Sequence, residues 1–327
     1  MSEGYVHRTS ADFRALFPEG KSGNDVNGLG DPLARRPRPF FWHPPAEQDF
    51  GALQVAVIDH HRQAPTIAEA YSRNADRGPR PAAKAPEATQ RSPAEWSAAV
   101  KAFALANDAD LVGITPLRPE YVYEGYEIPY PTLVLIGVAM DYENLASAPA
   151  TIDDPRAGWE VADKYNKAAR ACRKLANFVL GSGYEAKTYP GPMATALNMI
   201  PAAIAAGLGQ LGKHGSMINR SYGSSFRLSA IATDLPLVAD AEDRFGSEEF
   251  CTRCQACTRG CPPGAISPQK QMVRGTMKWY VDFDKCIPYF GETFACGICL
   301  AACPWSRPGL APRLAEQWTK RVREGRG

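Results

Sequence analysis

The sequence predicts an α+β protein that ends in a small cysteine-rich module. Three observations carry this. Eight of the nine cysteines lie after residue 250, in two sets. Residues 92–245 switch between helical and strand patterning. The 327 residues are 45% hydrophobic, enough for one large core and a small satellite. Net charge is only +2, so no strong field points to nucleic acid or to a membrane surface. No stretch approaches the roughly 20 apolar residues of a membrane helix.

Residues 1–91 read as an irregular, proline-rich arm. Two proline-rich stretches, 31–45 and 78–93, frame a short segment at 51–76. Phe40, Phe41 and Trp42 call for burial, so the arm is expected to pack on the main domain or on a second subunit of a homodimer. Met1 to Asp12 hold no apolar run, which argues against a secretory signal. Arg35-Arg36 is followed by prolines and aromatics rather than a long apolar stretch, so twin-arginine export is not expected. The expected setting is the cytoplasm, where thiols stay reduced.

The main domain, 92–245, opens on Ser92-Pro93-Ala94-Glu95. This is a cap residue, a proline at the first helical position and a glutamate three residues after the cap. The helix is expected to reach Asn107. Asp110–Ile114 and Thr132–Met140 are rich in Val, Ile and Leu and read as strands. The second is apolar almost throughout, hence central and covered on both faces. Arg156–Gly181 is the longest helix, with Val161, Tyr165, Ala168, Cys172, Leu175, Ala176 and Val179 on one stripe. Cys172, the ninth cysteine, reads as a small core residue. A short strand is expected at 184–189 and a buried helix at 194–206, followed by a glycine-dense turn at 207–215. Phe226 to Thr233 alternate as a strand. The tail, 311–327, is basic and reads as a solvated helix.

The module at 246–310 carries the clearest chemistry. Cys251-x2-Cys254-x2-Cys257-x3-Cys261-Pro262 is the bacterial spacing for four-iron, four-sulfur clusters. Cys286, then Cys296-x2-Cys299-x3-Cys303-Pro304, repeats its ending. In this motif the cysteine before the proline ligates the other cluster. The expected sets are Cys251, Cys254 and Cys257 with Cys303, and Cys286, Cys296 and Cys299 with Cys261. Four-cysteine zinc sites usually show only paired C-x2-C ligands, and disulfide frameworks suit short secreted chains.

Clusters imply electron transfer and do not name the acceptor. A domain of roughly 150 residues ahead of them is the size of a whole ordinary domain and implies a redox enzyme. Gly207-Leu-Gly209-x-x-Gly212 formally matches the dinucleotide fingerprint, but it follows a helical stretch and no acidic residue follows about 20 positions on. From the residues alone Tyr165 reads first as a core tyrosine whose hydroxyl finds a backbone partner. Arg227 lies opposite the apolar alternation and reads also as a surface arginine or as one pairing with a carboxylate. Lys213 and His214 could meet an anionic ligand or be solvated.

A resemblance separates these readings. Ala205-Ala206-Gly207-Leu-Gly209, then Gly212-Lys213-His214-Gly215, Tyr222-Gly223 and Thr233-Asp234-Leu235-Pro236-Leu237 run directly into the cysteine module. This order resembles the reductive dehalogenase and epoxyqueuosine reductase superfamily over roughly 92–307. The resemblance implies a nitroreductase-like α+β domain that holds base-off cobalamin, followed by the bacterial two-cluster ferredoxin-like module. It assigns Gly207, Gly209, Gly212, Lys213, His214, Gly215, Tyr222 and Gly223 to the corrinoid. The short insert between Cys286 and Cys296, with Tyr289-Phe290 inside, is similar to the dehalogenase branch. In the queuosine branch an aspartate–tyrosine–histidine triplet supplies the catalytic acid, and Lys164-Tyr165-Asn166 stands at the matching place. The implied activity is therefore reductive dehalogenation of an organohalide, with Tyr165 as proton donor and Arg227 beside it. An external donor (ferredoxin, flavodoxin or a reductase) is expected, since neither the export signal nor the flavin module of known dehalogenases is seen. An epoxyqueuosine reductase acting on tRNA and a non-catalytic electron-transfer or corrinoid-carrier protein are the alternatives.

Overall fold

The structure, a computed structural model, describes residues 5–193 and 196–325. The arm expected to be irregular carries four helices: α1 (Ser10–Arg14), α2 (Gly23–Asn27), α3 (Gly51–His61) and α4 (Pro65–Ser72). Their starts are encoded locally. Thr9 and Asp12 form a capping box, the Asn24 N–H donates to Ser22 Oγ at 3.1 Å, and Pro65 takes the first position of α4. The arm packs largely on the cysteine module. Phe13, Phe40, Phe50, Leu53 and Val57 share one apolar cluster with Ile287 and Phe283. Each such side chain, fully buried, contributes about 1.5–3 kcal/mol.

In the main domain α5 (Pro93–Leu105) begins at the expected capping box, with the Ser92 N–H donating to Glu95 Oε2 at 2.8 Å. There follow β1 (Leu111–Pro116), β2 (Thr132–Ala139), α6 (Tyr142–Leu145), α7 (Arg156–Gly181), β3 (Ala186–Tyr189) and α8 (Met199–Ala205). A small pair, β4 (Gln210–Leu211) and β5 (Met217–Ile218), precedes β6 (Phe226–Thr233). The helix expected over 194–206 thus starts later; 194 and 195 lie outside the described residues. The main sheet runs β1-β2-β6-β3, antiparallel at every pairing. β2 is apolar on both faces because both are covered. Val134, Ile136 and Val138 pack with Trp96 of α5 and with Ala168, Cys172 and Leu175 of α7. Leu133 and Leu135 pack on the opposite side with Ala202 and Ala203 of α8.

The C-terminal module comprises α9 (Ser247–Arg253), α10 (Ala256–Arg259), the hairpin β7 (Gln271–Val273) and β8 (Thr276–Lys278), α11 (Phe283–Glu292), α12 (Ile298–Ala301) and α13 (Leu310–Arg323). The tail expected to be solvated is α13, and it is docked. Ala311 and Ala315 are buried with Trp305, and the Trp318 ring lies against Gly246, while its basic residues face outward. An amphipathic pattern places one apolar face on a core, and the charge count alone hid that face. Among the described residues no helix is long and apolar enough to cross a membrane.

Domain and module meet backbone to backbone. Gly223 has φ +56°, and a Cβ there would lie 2.0 Å from the Trp305 carbonyl oxygen. Both the dihedral and the clash penalise any side chain. Gly223→Ala is expected to destabilise the protein by about 2–4 kcal/mol. Denaturant unfolding checks this, and an unchanged midpoint would refute the tight junction.

Candidate functional site: a cavity between the sheet and the cysteine module

A cavity of about 1260 Å³ lies between the α+β domain, the cysteine module and the arm. That exceeds the usual ligand-pocket range of about 300–1,000 Å³. Cys261, Cys286, Cys296 and Cys299 all line it. Tyr71, Tyr165 and Arg227 line it too.

The eight cysteines fall into two groups of four. Cys251 has Cys303, Cys257 and Cys254 as its electrostatic neighbours. Cys286 has Cys296 and Cys261, and Cys299 adds to that group. The sets expected from the cysteine–proline spacing share these neighbours, although Cys257 also acts on Cys299. Burial pushes the Cys251 and Cys286 thiols up to about 12 and Cys257 to about 11, and the neighbouring cysteines push the same way. Buried, mutually repelling thiols do not ionise unaided; a cationic iron core is what would hold them as thiolates. Polar hydrogens already point at these sulfurs. The Ala265 N–H donates to Cys261 Sγ at 3.3 Å. The Lys213 N–H is directed at Cys251.

Tyr165 occupies α7 where the apolar stripe of the helix reaches the module. It packs with Met140, Val161 and Leu300, and Cys299 belongs to the same cluster. Its hydroxyl forms no hydrogen bond among the described residues, unlike a core tyrosine with a backbone partner. Arg227 faces α7 from β6. On that face the Ser229 hydroxyl donates to the Ala168 carbonyl at 2.8 Å, and the Arg227 guanidinium lies 5.5 Å from the Tyr165 ring centre. Arg227 is thus neither a surface arginine nor a carboxylate partner. Among the described residues its only hydrogen bond is a long one, 3.4 Å, to the Phe226 carbonyl, and its buried Nε has no acceptor there. An unsatisfied buried donor on a cation is costly and calls for an anion or polar ligand.

Sequence reading missed Tyr71. It comes from α4 in the arm, and burial first, then Tyr165, raises its hydroxyl above the ordinary phenol range, opposed by Arg227. His61 and Trp42 of the arm also line the cavity. Burial holds the His61 imidazole down at about 4, so it is neutral. Only the aromatic content of the proline-rich stretch hinted that the arm closes the site.

Of the residues assigned to a corrinoid, Gly209, His214 and Gly215 line the cavity, and Gly207, Gly212, Lys213, Tyr222 and Gly223 do not. Lys213 is neither solvated nor turned to the cavity. It is 1% exposed, its ammonium donates to the Cys254 carbonyl at 2.8 Å and lies 4.8 Å from the Trp279 ring centre. A cation beside the first cysteine group offsets the charge of a thiolate-bound cluster. Tyr222 packs into the core around β6. His214 accepts from the Ser216 N–H at Nδ1 and meets the Ser224 hydroxyl through Nε2 at 2.8 Å. Both nitrogens are engaged, and burial lowers its pKa to about 4.

A family model described as a 4Fe-4S dicluster domain matches residues 250–306. The module therefore carries the pattern of two 4Fe–4S clusters. Tetrachloroethene reductive dehalogenase of Desulfitobacterium hafniense is 29% identical over 213 residues, 61% of this chain and 37% of the relative. That of Sulfurospirillum multivorans is 30% identical over 196 residues, 57% of this chain and 38% of the relative. Epoxyqueuosine reductase of Escherichia coli (strain K12) is 29% identical over 219 residues, 60% of this chain and 52% of the relative. The chain's relatives are reductive dehalogenases and epoxyqueuosine reductases. The dehalogenase branch is the closer of the two, and both branches are oxidoreductases. A catabolic reductive dehalogenase solved with 3-bromo-4-hydroxybenzoic acid superposes with TM-score 0.68 at 28% identity, over 81% of this chain and 39% of that one. An N-terminally tagged form without that title ligand gives TM-score 0.71 at 23% identity over 96% of this chain and 48% of that one, a likeness of fold. The chain spans well under half the length of the curated dehalogenases it matches.

Proposed function

We propose that this chain is the catalytic core of a corrinoid- and iron–sulfur-dependent reductase that replaces a carbon–halogen bond by carbon–hydrogen. The reaction consumes two electrons and one proton and releases halide. One observation carries the reading: a single oversized cavity is lined both by all four cysteines of the second group and by Tyr71, Tyr165 and Arg227. A corrinoid supplies, when bound, a low-valent cobalt able to attack the carbon–halogen bond. The site's dimensions, its engaged His214 and its orphan Arg227 Nε fit such a group in base-off form. The domain that holds it is nitroreductase-like in this reading.

The chain's own residues have separable roles. The second cysteine group delivers electrons to the cavity, and the first relays them from an external donor, a ferredoxin, flavodoxin or reductase, in the cytoplasm. Tyr165 donates its hydroxyl proton to the carbon that loses halide. Arg227 stabilises the phenolate left behind or holds the departing anion, since a nearby cation favours the ionised form. The apolar walls from Val161 and Leu300 exclude water, which strengthens both effects.

The epoxyqueuosine reductase relatives make tRNA the competing substrate. In this chain Asn166 is buried and donates to the Ala70 carbonyl at 2.7 Å, and Lys164 is paired with Glu160 at 3.2 Å, so neither neighbour of Tyr165 offers a carboxylate. The test is anaerobic purification, metal and corrinoid analysis, and turnover of a bromophenol against an epoxyqueuosine-containing RNA hairpin. About eight irons per chain, bound corrinoid and debromination are expected. Turnover of the RNA alone would reassign the chain to the other branch. Clusters without corrinoid would leave an electron-transfer protein.

A further inference from the structure

The cavity carries charged residues besides Arg227. Acidic residues on the wall are matched by cations: Glu242 by Arg244, Asp243 by Arg220, Glu248 by Lys270 and Glu120 by Arg118. Arg35 is matched by Asp31 at 2.9 Å and Arg62 by Asp59 at 3.5 Å. Among the described residues, three wall cations then form no ion pair, Arg227, Arg274 and Lys278, with Asp31 acting on Arg274 only from a distance. Arg227 belongs to the reaction end. Arg274 and Lys278 share the β7–β8 hairpin, on the wall that the arm covers.

The hairpin and the arm hold these two cations in place. Arg274 sits at the hairpin turn with φ +49°, left-handed for a residue with a side chain. The arm fixes it there: the Arg274 N–H donates to the Gly28 carbonyl at 3.1 Å, and the Gly275 N–H donates to Asp31 at 2.9 Å. The side chains of Arg35 and Arg274 both flank Gly28. One arm of the Arg274 guanidinium donates to the Asn27 carbonyl, and its other donors have no hydrogen-bond partner among the described residues. The Lys278 ammonium forms no hydrogen bond or ion pair among the described residues. We propose that Arg274 and Lys278 form an anion subsite that takes the phosphodiester of a corrinoid's nucleotide tail. This rests on the corrinoid reading above.

The physical case is charge balance. Burial, and then Arg274, pulls the Lys278 ammonium down to about 8. Burial, and then Arg35, lowers Arg274, and Tyr123, Tyr280 and Asp31 offset this only in part. The cations repel one another in a half-buried wall until an anion sits between them. The corrin ring's side chains are neutral amides, so the phosphodiester is the anionic group its periphery presents. Guanidinium and ammonium together suit it, one binding in a fixed fork and the other as a point charge. A small substrate anion is already served by Arg227, whose neighbours lie on α7 and β6.

The test uses the full chain with its clusters loaded and corrinoid omitted. It is titrated with cobinamide and with cobinamide phosphate, which differ only in the phosphate, and tryptophan quenching reads the Kd. The wild type is expected to bind cobinamide phosphate about tenfold more tightly. Lys278→Gln and Arg274→Gln should bring that ratio close to one and leave the Kd for cobinamide unchanged. If Arg274→Gln fails to fold, Lys278→Gln decides, because that ammonium holds nothing together. A ratio near one in the wild type, or a ratio preserved in Lys278→Gln, overturns the subsite while leaving corrinoid binding intact. Failure to bind either ligand overturns the corrinoid reading and the subsite with it.

Discussion

Tyr165→Phe should lower turnover by about 10²–10⁴-fold while cluster and corrinoid content stay at wild-type levels. The substitution keeps the ring that packs with Val161 and Leu300 and removes only a hydroxyl that has no hydrogen-bond partner among the described residues. Stability should therefore change little. What is lost is a positioned proton, and general acid catalysis contributes about that factor. Arg227, 5.5 Å from the ring centre, is why the phenolate would be tolerated in an apolar pocket. In the proposed order the proton step comes after reduction of the metal centres, so that reduction should occur at unchanged potential. The measurement is kcat on a bromophenol and on the RNA hairpin, beside metal analysis and a redox titration. Full activity of the variant on whichever substrate turns over would return Tyr165 to a packing role.

Changing Cys303 to Ala should destroy one cluster and spare the other. Cys303 is separated in sequence from Cys251, Cys254 and Cys257, yet its electrostatic neighbour in the folded chain is Cys254. Iron should fall from about eight to about four per chain. The surviving cluster would be the one on the cavity wall, so corrinoid binding should persist while reduction by an external donor fails. Paramagnetic resonance of the reduced protein separates the two signals. Loss of the cavity-side cluster alone would overturn the crossed pairing. Cys303 also lies in the apolar cluster with Trp305 and Ala311, so the variant is expected to lose stability as well.

The two sites differ in how far the linear sequence discloses them. The cysteine pattern is local: thiols two and three residues apart, followed by proline, restrict the chain to one chemistry before any long-range contact forms. The same holds for the Ser92–Glu95 capping box, for α7 with its apolar stripe, and for the alternation of β6, all of which appear where the residues alone place them. Short-range rules governed these elements, and such rules can be read from spacing.

The arm, the cavity wall and the cation pairs could not be read that way. α3 buries its face against the module, far along the chain, and its own pattern carries almost no amphipathic signal. The glycines at 207, 212 and 223 looked like a ligand cradle. Two of them are small because another backbone passes close by: Ala241 at Gly207 and Trp305 at Gly223. Glycine spacing records that something approaches, not what approaches. Lys213 likewise serves the first cysteine group because the fold carries it beneath Cys254. By itself the sequence determined the cluster pattern and the main helices and strands, and the resemblance singled out the candidate pair Tyr165 and Arg227. Tertiary structure decided that α7 and β6 set that pair face to face, that Tyr71 joins it from the arm, and that Arg274 and Lys278 line the same cavity. The reason is physical: metal-ligand spacing and helix periodicity are written within a few residues, whereas a cavity is defined by which distant surfaces exclude water together.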